Sequence, residues 1–179
     1  MNAAKRSLEI KRVVCTKLLN ENFYPYTKRY LGNFNAHFST IGLIGMNEMC
    51  LNAPWVRENI ASEKGVKFAQ DVLDHMREEL KRYQEETGNL YNLEATPAES
   101  TTYRLAKMDR SRWPDIITAA NGKEKPFYTN SCHLPVDYTN DPFEALEIQD
   151  QLQTRFTGGT VFHTFLGEKL PNWETAALL

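Results

Sequence analysis

The residues with the most chemical promise are Thr96-Pro97-Ala98-Glu99 and the hydroxyls that follow, Ser100, Thr101 and Thr102. They come directly after a run that reads as a strand and open one that reads as a helix. Thr96 fits the N-cap, Pro97 the first helical position and Glu99 the third. That is capping-box spacing, in which the Thr hydroxyl accepts from the N–H of residue 99 and the Glu carboxylate from the N–H of residue 96. By spacing alone it is a well-made helix start. The same geometry suits phosphate, because free N–H groups and the positive dipole end at a helix start attract anions. Glu99 opposes an anion unless the cap holds its carboxylate away.

Two more segments offer polar groups at strand ends. Gly42-Leu43-Ile44-Gly45-Met46-Asn47-Glu48 places two glycines at the end of an apolar run. Glycine there permits close backbone approach, and Asn47 and Glu48 follow where the strand gives way to a helix. Tyr128-Thr129-Asn130-Ser131-Cys132-His133 is a polar cluster that reads either as Asx-type turns or as a pocket wall. Cys132 and His133 are not expected to act together, since sequence neighbours in extended chain point to opposite faces. His163 reads as a core or rim histidine, and Gly158-Gly159 as a turn. His37 and His75 read as surface positions. Glu78, Glu79, Glu85 and Glu86 read as a solvated helix face rather than paired catalytic acids.

The elements that must position these groups alternate. Helices are predicted over 3–23, from Asn47 to Leu51, from Ser62 to about Glu86, from Pro97 to about Met108, and from Asp141-Pro142 to near Phe156. In the longest, Phe68, Val72, Met76 and Leu80 form one apolar stripe. Strands are predicted over 38–46, 90–95 and 160–166, with extended chain over 127–136. Residues 109–126 read as a surface excursion, and the final dozen carry no clear element. Alternation of this kind argues for an α/β fold with mostly parallel strands and helical crossovers. A closed barrel needs about eight such units; this chain supplies fewer, so the expectation is an open sheet or one incomplete segment, 1–179, of something larger.

With 41% apolar and 25% charged residues the chain has the composition of a globular domain. A net charge of −2 gives no electrostatic case for nucleic acid or a membrane as partner. No apolar run approaches about 18 residues, and the first residues lack a signal-type apolar core, so the expected location is the cytoplasm. Cys15, Cys50 and Cys132 are far apart and form no CxxC, which predicts buried small hydrophobes rather than a metal site or disulfides.

Three blocks together resemble one family. RYLGNFNAHFSTIGLIGMNEMC (29–50), NLEATPAESTTYRLAKMD (92–109) and KPFYTNSCHLPVDYTNDPFEALEIQDQLQTRFTGGTVFHTFLGE (125–168) are similar, in order and spacing, to the catalytic subunit of anaerobic (class III) ribonucleoside-triphosphate reductases. The resemblance implies a segment of that family's α/β barrel. It also implies an oxidoreductase that makes 2′-deoxyribonucleotides by glycyl and thiyl radical chemistry. Implied partners are a ribonucleoside triphosphate, formate or a thiol as reductant, an iron–sulfur and S-adenosylmethionine activase, the remainder of the reductase chain, and a second copy in a homodimer.

Carried over by position, the resemblance makes Thr96, Ala98, Glu99, Ser100, Thr101 and Thr102 the substrate-phosphate cradle. It makes Ile44, Asn47, Glu48, Glu94, Asn130 and Ser131 pocket-lining. The family commonly has glycine where Ser100 stands. No catalytic residue and no metal ligand of the family falls on this segment. The glycyl radical, its partner cysteine and the zinc cysteines are implied for other parts of the complete enzyme, so this chain alone is expected to be inactive. The competing reading is a non-catalytic nucleotide-binding or assembly module from a split reductase gene. Both readings predict self-association, because a partial barrel leaves strand edges uncovered.

Overall fold

The computed structural model describes residues 1–120, 125–163 and 169–178. Helices and strands are interspersed along the chain, an α/β arrangement. Helix α1 (Asn2–Asn20) stops three residues short of its expected end, because Asn22 takes the left-handed conformation at φ 69° and turns the chain into α2 (Pro25–Tyr30). Strand β1 covers Phe38–Leu43. It ends before Met46 because Gly45, at φ 75°, caps a short helix α3 (Met46–Asn52). Helix α4 (Glu63–Thr87) begins where the Ser62 hydroxyl accepts from the N–H of Gly65 and ends at Gly88, φ 70°. Both stops use glycine where a side chain would be strained.

Strand β2 (Leu90–Ala95) lies parallel to β1, with Phe38 opposite Leu90 and Leu43 opposite Ala95. The α3–α4 connection is therefore a helical crossover between parallel neighbours. Helix α5 covers Glu99–Arg112. Within the expected surface excursion, Ala119–Ala120 (β3) pairs antiparallel with Pro126–Phe127 (β4). The Asn52 amide also clasps its backbone, accepting from Ile117 N–H and donating to Ile117 O, both at 2.9 Å. Helix α6 (Pro142–Gln153) has Asp141 as N-cap, accepting from the N–H of Phe143 at 2.8 Å, and Pro142 in its first turn. It ends before Phe156. Residues 160–163 form no strand, and the rest of the expected last strand, 164–168, lies outside the described residues. A five-residue helix α7 (Trp173–Ala177) occupies the tail.

The core lies between α4 and one face of the strand pair. Ile41 on β1 and Tyr91, Leu93 and Ala95 on β2 are buried on that face. Thr40, Gly42, Asn92 and Glu94 alternate onto the opposite, more open face. On α4 the buried positions are Gly65, Ala69, Leu73, Met76, Leu80 and Tyr83. Phe68 and Val72 only border the core. A strict four-residue repeat drifts by about 40° per step around a helix of 3.6 residues per turn, so alternate steps of three are needed to keep one face inward. Helix α1 packs Ala4 and Leu8 against the core and is fastened there by polar contacts. Glu9 accepts from the Tyr91 hydroxyl and from the Asn89 amide, and the Tyr83 hydroxyl donates to Asn2. Arg12 donates to Phe34 O and His37 O, both at 2.8 Å, and to the Ser39 hydroxyl, fixing the entry to β1.

Two substitutions test this packing. Leu73→Ala leaves a cavity in the fully buried centre and is expected to cost about 3 kcal/mol of unfolding free energy in denaturant titration, whereas Phe68→Ala costs less than half as much. Equal losses would contradict the inward face described.

Candidate functional site

Three segments converge at the C-terminal ends of β1 and β2, the end of a parallel pair where ligands bind. The first lays the Thr96 side chain across β1. A Cβ on Gly42 would lie 1.8 Å from the Thr96 hydroxyl oxygen, so glycine at 42 leaves the room that this side chain occupies. This crossing changes the start of α5. The N-cap is Ala98, not Thr96, in the left-handed conformation at φ 46° and ψ 13°, with no side-chain cap. The Thr96 hydroxyl instead lies 3.5 Å from Glu94 O, and the expected capping box does not form. Residues 96 and 97 are spent in the crossing, which leaves the helix to begin two residues later than spacing suggests.

What remains is an uncapped start to a 14-residue helix. The N–H groups of Thr101 and Thr102 both donate to Ala98 O, at 2.8 and 3.1 Å. Those of Glu99 and Ser100 have no partner among the described residues. The side chains of Glu99, Ser100 and Thr101 are exposed. Thr102 differs: it is buried, and its hydroxyl donates to Glu99 O at 2.7 Å.

The second segment docks on the β1 side. Thr129 O accepts from Gly45 N–H at 2.8 Å, and Ser131 O accepts from Met46 N–H at 3.1 Å. Asn47 and Glu48 are buried, and the Glu48 carboxylate accepts from both the N–H and the hydroxyl of Thr129. Ser131 is buried with φ 43°; Ile44, Glu94 and Asn130 are half-buried. Among the described residues four non-glycine positions take positive φ, and Ala98 and Ser131, which border this strand end, are two of them. Such conformations persist where the surroundings impose them, and they cluster at functional sites.

The third segment flanks β2. Gly158 N–H donates to Leu93 O at 2.6 Å, Ala95 N–H donates to Gly159 O at 3.1 Å, and the Thr157 hydroxyl accepts from Leu93 N–H at 3.0 Å. The glycine pair is thus more than a turn: it lies along the free edge of β2, where a Cβ at Gly158 would press on Asn92 and Leu93 O at 3.0 Å. The second and third segments meet through His133 and His163, whose ring centroids are 5.8 Å apart. His163 is exposed, at the rim. Burial, and secondarily the neighbouring His163, hold His133 below its ordinary value.

Two further pairings hold these segments together. Asn52 ties α3 to residue 117, and the Tyr128 hydroxyl donates to Asp109 at 2.7 Å, joining the polar cluster to α5. Burial, then the bond to Asp109, raises the Tyr128 hydroxyl well above its usual range. Neither pairing has a local sequence signal, since the partners lie 65 and 19 residues apart. Cys50 and Cys132 are fully buried. Burial pushes the Cys50 thiol up to about 11, with the Glu48 charge adding to it, and raises Cys132 further. Neither is a poised thiolate. Among the described residues no three His, Cys, Asp or Glu side chains converge as metal ligands, so the residues here do not fit the zinc that the resemblance implies for the complete enzyme. No helix among the described residues is long and apolar enough to cross a membrane.

The family model described as anaerobic ribonucleoside-triphosphate reductase matches residues 1–179. A protein of that name from Enterobacteria phage T4 is 28% identical over 145 residues, covering 77% of this chain and 22% of its own length. The crystal structure of the anaerobic ribonucleotide reductase from Thermotoga maritima with MES in the active site is 25% identical, with a TM-score of 0.75 over 98% of this chain and 29% of that one. The same Thermotoga enzyme in complex with dATP and CTP gives 26% identity and a TM-score of 0.70 over 93% of this chain and 27% of that one. The chain spans about a fifth of the length of the curated relatives it matches.

Two measurements test the geometry. Gly42→Ala must displace Thr96 and is expected to lower the melting temperature, with part of the loss recovered in the Gly42→Ala/Thr96→Gly double variant; an additive double variant would deny the contact. His133 favours its neutral form when folded. Its contribution is therefore complete above the unfolded value near 6.5 and is lost as pH falls toward the lower folded value. Unfolding free energy is expected to decline as pH falls below about 7, and less steeply in His133→Gln.

Proposed function

The chain belongs to the anaerobic ribonucleoside-triphosphate reductase family, and from that membership we propose that it is a segment of the catalytic subunit, contributing the substrate-phosphate side of the pocket. The complete enzyme reduces ribonucleoside triphosphates to 2′-deoxyribonucleotides by radical chemistry. In that enzyme the glycyl radical, the cysteine it acts through and the zinc site belong to other parts of the chain. Formate or a thiol supplies the reducing electrons, an iron–sulfur and S-adenosylmethionine activase installs the radical, and two copies form the working dimer in the cytoplasm.

The observation that carries the phosphate assignment is the uncapped start of α5 at the end of a parallel strand. Two N–H groups there lack partners among the described residues, and the Ser100 and Thr101 hydroxyls stand exposed beside them. A helix start in this state is an anion site. MES, named in the active site of the Thermotoga enzyme, carries a sulfonate, and CTP, named in its nucleotide complex, is a ribonucleoside triphosphate. Within the 96–102 block the roles divide. Backbone N–H groups and the hydroxyls of Ser100 and Thr101 contact phosphate. Thr102, whose hydroxyl is already engaged, holds the first turn in shape. Thr96 and Ala98 shape the crossing. Glu94, Ile44 and Asn130 belong to the surrounding wall, where a substrate's sugar and base would rest, and Ser131, fully buried, backs that wall.

No proton or radical step is assigned to these residues. Their work is positioning and charge stabilisation, which orients the ribose toward groups elsewhere in the enzyme. Glu99 stands beside the free N–H groups without a cap to hold its carboxylate, so it repels phosphate and weakens binding.

In the complete reductase, Thr101→Val and Ser100→Asp are expected to weaken nucleotide binding about tenfold, and Glu99→Gln to strengthen it. Calorimetric titration with a ribonucleoside triphosphate measures all three. Unchanged affinity in the first two would sink the phosphate assignment.

A further inference from the structure

Glu48 is only 1% exposed and has no cationic partner among the described residues. A carboxylate in such a place is costly unless its oxygens are satisfied. Here they are satisfied chiefly by one residue of a distant loop. One oxygen accepts from the Thr129 N–H at 2.9 Å, and the other accepts from the Thr129 hydroxyl at 2.7 Å and from the Asn47 amide at 3.1 Å. Asn47 is itself fixed, because its carbonyl oxygen accepts from Ile60 N–H at 3.2 Å. An apolar side chain would fill the same volume without needing these donors. What the carboxylate adds is direction, since it grips main chain and side chain of a single residue at once.

The same loop is held from a second direction. Thr129 O and Ser131 O accept from the N–H groups of Gly45 and Met46, at the junction of β1 and α3. Residues 129 and 131 are therefore clamped from one short stretch, 45–48, and Ser131, next to Cys132, is held at φ 43°. We propose that Glu48 is a positioning residue: it locks residues 129–131 against the end of β1 and so sets one wall of the nucleotide pocket without touching the nucleotide. Its link to substrate rests on the reading of Asn130 and Ser131 as pocket wall; the locking itself rests on the hydrogen bonds alone.

Two readouts separate these parts. Cys132 directly follows the clamped loop and is fully buried, so its alkylation, mapped by mass spectrometry, reports release of the loop without any substrate. Steady-state kinetics of the complete reductase report the pocket. Glu48→Gln replaces one acceptor oxygen by an amide NH2 and leaves a donor facing a donor at Thr129 or Asn47. Thr129→Val removes only the hydroxyl bond from the loop side, and keeps the test open if Glu48→Gln fails to fold. In each variant Cys132 is expected to alkylate at least about tenfold faster and KM for the nucleotide to rise about fivefold, with kcat within about twofold. The double variant should be no worse than Glu48→Gln alone, because both lesions break the same bond. Protected Cys132 in both variants, or strictly additive effects, overturns the locking. Exposed Cys132 with unchanged KM overturns the positioning role and places the fault in the pocket-wall reading, with the locking intact. A kcat loss equal to the loss in kcat/KM overturns a positioning role confined to substrate binding.

Discussion

The parallel register of β1 and β2, Phe38 opposite Leu90 through Leu43 opposite Ala95, governs the rest of the molecule. Parallel neighbours cannot be joined by a tight turn. The chain must travel the length of the sheet and return, and α3 and α4 make that journey. Helix α4 covers one face of the pair and buries Leu73, Leu80 and Tyr83 against it. Both strands consequently finish at the same end, and their polar exits, 42–48 and 94–99, are brought side by side. The opposite face, with Thr40, Asn92 and Glu94, is only half-covered.

At that end the limiting constraint is space. Gly42 and Gly158 stand where a Cβ would collide, one with Thr96 and the other with Asn92 and the β2 backbone. Their absence of side chain lets three segments crowd onto two strands. The crowding has a cost in local order, seen in the left-handed Ala98 and Ser131. It also explains why α5 starts without a cap. A helix start optimised for stability would use Thr96 as the sequence invites; one that is left unfilled keeps N–H groups for something else. Polar groups then hold the arrangement in place. Asn47, Glu48 and Asn52 reach from a seven-residue helix to Ile60, Thr129 and Ile117. A short helix anchored in the core by Met46 and Cys50 thus uses its polar side chains to fix segments that apolar packing alone would leave free to slide.

Much of this was legible in the sequence. The long helix with Ser62 and Gly88 at its ends, the strand at 90–95, and the Asp141-Pro142 start were encoded in local residue types whose physics is local: caps, fixed φ and alternation. The family could be read from three blocks in order, and with it the fold class. Tertiary structure decided what depends on neighbours distant in sequence. It placed the start of α5 at Glu99, because Thr96 is drawn over Gly42, fifty-four residues earlier. It turned the inward face of α4 toward Ala69 and Leu73, because the helix must follow the sheet rather than its most apolar stripe. It laid Gly158-Gly159 along β2 as an edge rather than a simple turn, and it consumed Glu48 in holding Thr129. Sequence fixes the chemistry each residue can offer. Only packing decides which groups are spent on the fold and which are left over to bind a ligand.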